Sequence, residues 1–263
     1  AYIEAFDPEG PWGRRDPAGD LVELQAEAAT AQAAQTQQHI GSNKTIIGVG
    51  DDARIVGANL RIRDADNVIV RNLTLSDSTD CFPEWDPGDT DAGNWNSRYD
   101  NLSIWTGTHV WIDHNTFDSG EMPPDALATV YGRPYEVHDG LLDITHSSDL
   151  VTVSYNRFEA HDKTMLIGSS NSRVADAGRL RVTLHHNKWT DIGQRAPRVR
   201  YGQVDLYNNH YVQTSDYDWY SYYWGVGVHS ALYAENNYIH LHPANDASTI
   251  IAKWGGESMT EIG

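Results

Sequence analysis

One cysteine, Cys81, stands in 263 residues, so the chain cannot close a disulfide within itself. A lone cysteine is expected as a small buried hydrophobe rather than a reactive thiol. Basic residues are scarce: 19 Lys and Arg face 37 Asp and Glu, a formal charge of −18. A surface of that sign argues against nucleic acid as a partner, because phosphate binding draws on a basic field. No apolar run approaches the ~18 residues that a membrane helix needs, so no membrane partner is expected. No GxSxG elbow occurs, which leaves a Ser–His–Asp hydrolase without support. The chain starts at Ala1 without Met or a signal-peptide pattern, which fits a mature or excised polypeptide.

What is present is a repeat. VIVRNLTL (68–75), VWIDHNTF (110–117), VTVSYNRF (151–158), VTLHHNKW (182–189), VDLYNNHY (204–211) and LYAENNYI (232–239) align without gaps. Apolar residues fill the first and third positions, and an apolar or aromatic residue recurs at the eighth. Five of the six carry Asn at the sixth position: Asn115, Asn156, Asn187, Asn209 and Asn237. The first has Leu73 there, with Asn72 one place earlier. Alternation followed by Asn reads as a strand leading into a turn, since Asn tolerates the left-handed region. The shortest step between repeats, from 182 to 204, is the length of one coil of a parallel β-solenoid; longer steps are coils with inserted loops. Stacked coils would superpose the Asn side chains in a hydrogen-bonded ladder. The fold class is therefore all-β and solenoidal, with a β-sandwich as the rival. With 40% hydrophobic residues the chain has material for one large core.

Residues 1–40 differ. LVELQAEAATAQAAQTQQ (21–38) is rich in Ala, Gln and Glu and predicts a helix capped by Asp20, packed on the outside or end of the solenoid. Residues 1–40 thus form a helical excursion and 41–263 the β-domain, whose first coil starts within SNKTIIGVG (42–50). The stretch 80–99 is rich in Pro, Gly and Asp and reads as a loop walling a cleft. The aromatic stretch 216–230 either packs on the solenoid or lines that cleft.

Two charged clusters stand out. QRAPRVR (194–200) gathers Arg195, Arg198 and Arg200 around Pro197, which holds the segment extended rather than helical. HDGLLDI (138–144) sets Asp139 and Asp143 at equal parity, so a straight strand or a helical turn aims both to one side. Two carboxylates held close repel unless a cation lies between them, and an oxygen-only set suits a hard cation such as Ca²⁺. Solvated strand-end aspartates would give the same spacing, and spacing alone does not tie Asp100 to the pair. The histidines of the motifs, His114 and His186 among them, are expected as structural coil positions rather than transition-metal ligands.

WIDHNTF (111–117), DGLLDITHSSDLVTVSYNRF (139–158), HDKTMLIGSS (161–170), VTLHHNKW (182–189) and QRAPRVRYGQVDLYNN (194–209), in that order, closely resemble the calcium-dependent pectate lyases. The resemblance covers roughly 41–263. It implies a right-handed parallel β-helix, secretion, a monomer, and cleavage of α-1,4-polygalacturonate by β-elimination. Matched position for position, it implies Ca²⁺ ligands at Asp100, Asp139 and Asp143, the base at Arg195, and substrate binding by Lys163, Arg198 and Arg200. Relatives often carry an acid two places before Asp100, where this chain has Arg98. Arginine normally stays protonated, so the implied base needs neighbouring cations to lower its pKa. Pectin lyase action on methylated substrate, polygalacturonase hydrolysis and a non-catalytic pectate-binding solenoid are the rivals. Because pectate is itself a polyanion, a cleft lined by Lys163, Arg195, Arg198 and Arg200 must be locally positive on a negative protein.

Overall fold

The structure is a computed structural model and describes residues 1–5, 7, 9, 10 and 14–263. Among them, twenty-three strands form three parallel sheets of eight, eight and seven strands, and successive passes of the chain add one strand to each sheet. This is the parallel β-helix expected, and the sandwich is excluded: every pairing within the three sheets is parallel. The sheet that matters for function runs Gln37–Ile40, Asn59–Arg63, Leu102–Trp105, Leu142–Thr145, Leu166–Ile167, Arg198–Val199, Trp224–Val226 and Ile251–Lys253. Its first strand begins directly after the helix, so the first coil opens at Gln37, ahead of the 42–50 stretch.

The repeat spans the second sheet, a corner and the third sheet. Val68, Val110, Val151, Val182, Val204 and Leu232 stand in one row, all buried. The eighth positions form another, Leu75, Phe117, Phe158, Trp189, Tyr211 and Ile239. Phe117, Phe158, Trp189 and Tyr211 stack face to face along it, with centroids 4.2–5.6 Å apart.

The Asn ladder exists, but its residues are not the ones that turn the corner. The left-handed conformation falls one place earlier, on Asn72, His114, Tyr155, His186, Asn208 and Asn236, with φ between 52° and 58°. A non-glycine residue there costs roughly 1–2 kcal/mol, and the following Asn offsets that cost. Asn156 illustrates it: its Oδ1 accepts from the N–H and Nδ2 of Asn115, while its own Nδ2 donates to Ile112 O, Ser154 O and Asn187 Oδ1. The ladder runs through Asn187 and Asn209 to Asn237, and Leu73 joins it by its N–H alone. His114 and His186 occupy corner positions and stack on Tyr155 at 4.9 and 4.7 Å.

The helix covers Asp20–Thr36, and its N-cap is Gly19, not Asp20. Gly19 at φ 112° turns the chain one residue early, so Asp20 enters the first turn, where its charge still suits the helix dipole. Gln25 and Gln32 donate to Phe82 O and Thr79 O and so seat the helix on the 79–82 turn. Cys81 lies on that turn and is exposed, contrary to expectation. Gln32 Oε1 holds its N–H while Asp80 beside it turns fully inward. The 80–99 loop carries a hairpin, Glu84–Asp86 with Asn94–Asn96, whose Trp85 and Trp95 build a small second core with Tyr131 and Tyr135.

Candidate active site

Along the functional sheet, inward and outward side chains alternate, as pleating requires. Ile62, Ile104, Ile144, Ile167, Val199 and Val226 point into the core. One place before them runs an outward row of Arg61, Ser103, Asp143, Leu166, Arg198 and Gly225. One place after runs Arg63, Trp105 and Thr145, with Arg200 following Val199 at the same offset. The sheet thus sets a carboxylate and two arginines of the two sequence clusters on one outer face.

Asp100 and Asp139 reach the same place from the turns preceding their strands. Asp100 is buried; its Oδ1 accepts from Gly140 N at 2.9 Å and its Oδ2 from Ser103 Oγ at 2.6 Å. Asp143 Oδ1 accepts from Leu166 N at 2.9 Å. Asp139 is tied by its main chain, N–H to Tyr99 O and C=O to His161 Nε2 at 2.8 Å. The 139–143 segment is not one straight strand: Leu141 and Leu142 are both buried, so the chain bends between the aspartates and only the second is on a strand. Gly140 has to be glycine for space, since a Cβ there would stand 2.8 Å from Asp143 Oδ1 and 2.9 Å from Asp100 Oδ1.

Burial first, and then the neighbouring carboxylates, push the Asp100 and Asp143 pKa values well above the ordinary range; Arg195 opposes both shifts. Like charges crowded out of water seek either protons or a cation. Among the described residues no three His, Cys, Asp or Glu side chains close on a common point as a finished metal cage does. The three aspartates nonetheless offer only hard oxygen donors, which suit a hard cation such as Ca²⁺ and not a soft one.

Arg195 follows the strand Lys188–Gln194 and has φ 57°, and the Ala196–Pro197 bond is cis. The left-handed Arg195 bends the segment, so 194–200 lies in strands only at Gln194 and at Arg198–Val199, which corrects the expectation of one extended run. Arg195 acts electrostatically on Asp100, Asp143, Asp162 and Tyr222, and its Nε is buried without a hydrogen-bond partner. Arg198 lies 4.7 Å over the Trp254 ring. Arg200 donates to Asn171 Oδ1 and Gly168 O. Burial, then Arg198 and Arg195, lower the Arg200 pKa to about 10. Lys163 is buried and paired at 3.4 Å with Glu136, whose carboxyl burial pushes up while Lys163 pulls it down. The structure thus brings Asp100, Asp139, Asp143, Arg195, Arg198 and Arg200 together, with Lys163 nearby but holding a counterion of its own.

Comparisons with known proteins place the chain in a family. A family model described as pectate lyase matches residues 19–263. The chain belongs to the pectate lyase family. A pectate lyase of Bacillus subtilis is 44% identical over 265 residues, which cover all of this chain and 62% of that relative. The solved structure of a thermostable pectate lyase superposes at TM-score 0.93 with 48% identity, covering 99% of this chain and 62% of that one. A pectate lyase bound to a hexasaccharide superposes at TM-score 0.94 with 43% identity, covering all of this chain and 65% of the other. The chain therefore spans about three fifths of the length of these pectate lyases.

One residue beside Lys163 was not singled out from the sequence. Glu136 carries no motif of its own, and only its place three residues before Asp139 hints at it. His161 was visible in HDK, but its work is structural: burial pushes its pKa down to about 3, so the ring is neutral. A carbonyl can only accept, so Nε2 carries the proton given to Asp139 O, and Nδ1 pairs with Ser119 Oγ at 2.7 Å. Arg98 is spent on Asp80 and Glu84 in the 80–99 loop. The 216–230 stretch enters the solenoid itself, supplying the strand Trp224–Val226. Tyr223 and Trp224 join the core, while Tyr222 lies beside Arg195 and Arg198 at the cleft.

Proposed function

We propose that this member of the pectate lyase family cleaves demethylated α-1,4-polygalacturonate by Ca²⁺-dependent β-elimination, acting outside the cell as a monomer. The observation that carries the reading is that Asp143, Arg198 and Arg200 share one outer sheet face, with Asp100, Asp139 and Arg195 beside them, on a protein of net charge −18. A cluster of that kind binds a polyanion through local cations rather than through the field of the whole molecule. No helix among the described residues is long and apolar enough to cross a membrane.

Asp100, Asp139 and Asp143 would hold Ca²⁺, which when bound neutralises the uronate carboxylate beside C5 and makes the C5 proton more acidic. Arg198 and Arg200 bind sugar carboxylates in the cleft, and Lys163 joins them by sharing its ammonium between Glu136 and the substrate. Arg195, as the neutral guanidine, takes the C5 proton and becomes the guanidinium. The C5–H electron pair becomes the C4=C5 double bond, the C4–O bond breaks, and the departing oxygen takes a proton from solvent. The Arg198 and Arg200 charges, with the Ca²⁺ that the aspartates would hold, face the carboxylate where enolate-like charge develops, and so act on the transition state. The decisive experiment is ultraviolet absorbance of the unsaturated ends formed from polygalacturonate, with chelator and after adding Ca²⁺ back. Activity lost in chelator and restored by Ca²⁺ supports the reading. Equal activity in chelator, or preference for highly methylated pectin, moves it to the pectin lyase reaction.

A further inference from the structure

Arg61 and Arg63 stand on the strand Asn59–Arg63, pointing outward on either side of buried Ile62. Arg61 lies in the same row as Ser103 and Asp143, and Arg63 in the row of Trp105 and Thr145. Two strand spacings, about 10 Å, separate them from Asp143. Arg61 donates to Gln37 Oε1 at 2.8 Å, a neutral partner. Arg63 lies 5.1 Å from the Trp105 ring centroid, and that ring stacks on His146 at 3.4 Å. Trp105 thereby steadies the guanidinium by cation–π attraction. The acid touching Arg63, Asp64 at 3.5 Å, is 69% exposed, so that pair is weak and easily shared. Burial, and then Arg63, lower the Arg61 pKa: two cations crowd each other on an acidic protein.

We propose that Arg61 and Arg63 form an accessory subsite for uronate sugars of a long polygalacturonate chain, beyond the Asp100–Asp139–Asp143 end of the cleft. This rests on the lyase reading of the same sheet face. The occupant fits by charge and by continuity. An extended chain with a carboxylate on every sugar, lying across the strands, passes the arginines around Arg195, then the aspartate cluster, then Arg61 and Arg63. A short oligomer held at the cleavage centre does not reach them.

The test measures binding by calorimetry with Ca²⁺ present, in an Arg195→Lys background so that ligand is not consumed. The ligands are trigalacturonate and a long oligogalacturonate. Adding Arg61→Gln with Arg63→Gln should weaken the long ligand about tenfold, or ~1.4 kcal/mol, and leave the trimer within about twofold. Arg61→Lys with Arg63→Lys should keep most of the long-chain affinity, which separates lost charge from a disturbed fold. Unchanged binding of the long ligand, or equal loss for both ligands, overturns the subsite. If the parent protein binds neither ligand, the lyase reading and the subsite fall together. If it binds both but the natural chain cleaves neither, the lyase reading falls alone and the long-to-short ratio still decides the subsite.

Discussion

At the scale of single residues, the site stores repulsion. Asp143 is half-buried, one of its oxygens takes the Leu166 N–H, and Asp100 and Asp139 act on it as like charges. Asp143→Asn keeps an oxygen for Leu166 and removes one negative charge. Without Ca²⁺ at neutral pH it should raise stability by on the order of 1 kcal/mol, about 2–4 °C in melting temperature. Calorimetry should show weakened Ca²⁺ binding in the same variant; unchanged binding would remove Asp143 from the ligand set. The linked pH effect has a definite sign. Asp100 and Asp143 have raised folded pKa values, so their contribution to stability is present at low pH and lost as pH rises through those values. The metal-free protein should therefore gain stability on mild acidification, and Ca²⁺ should abolish that gain. Arg200 behaves in the opposite charge sense: above its pKa of about 10 it loses its cation, so KM for polygalacturonate should climb as pH passes that value. Arg195→Lys keeps a charge but loses the planar fork, and should cut turnover at saturating substrate more than tenfold, at least ~1.4 kcal/mol in barrier. Near-normal turnover with an intact circular dichroism spectrum would exclude Arg195 as the base.

At the scale of elements, the ladder is the structural spine. Removing the Asn156 side chain takes one partner each from the Asn115 N–H, the Ile112 carbonyl and Asn187 Oδ1 in a dry interior. Asn156→Ala should lower unfolding free energy by on the order of 3 kcal/mol in urea titrations, well beyond the loss from Asn237→Ala at the ladder's end. The ladder was legible because one residue type recurs at one offset from an alternating strand. The corner conformation was not, because histidine, tyrosine and asparagine share the left-handed position and no single type marks it. The helix was legible from composition, but its cap shifted by one residue because Gly19 could take a φ that Asp20 would resist. The exposure of Cys81 depends on which neighbour the helix glutamines hold, a tertiary contact with no local signature.

At the scale of the whole molecule, an acidic protein carries a cationic stripe across one sheet, from Arg198 and Arg200 to Arg61 and Arg63. The arginines and aspartates were legible as clusters, yet their meeting depends on register: Asp143 opposes Leu166, which opposes Arg198, though the sequence separates them widely. Glu136 was not legible because its pairing with Lys163 crosses from a loop to the third sheet. A local stripe against an opposing net charge is screened by salt, so KM should rise steeply with ionic strength while kcat holds. Elimination and hydrolysis differ in the fate of water, and oxygen labelling separates them. Polygalacturonate digested in heavy-oxygen water with Ca²⁺ present is analysed by mass spectrometry. The account predicts that every cut yields an unsaturated end lacking the elements of water, with no heavy oxygen fixed during bond cleavage. Saturated ends that carry one heavy oxygen per cut would contradict it.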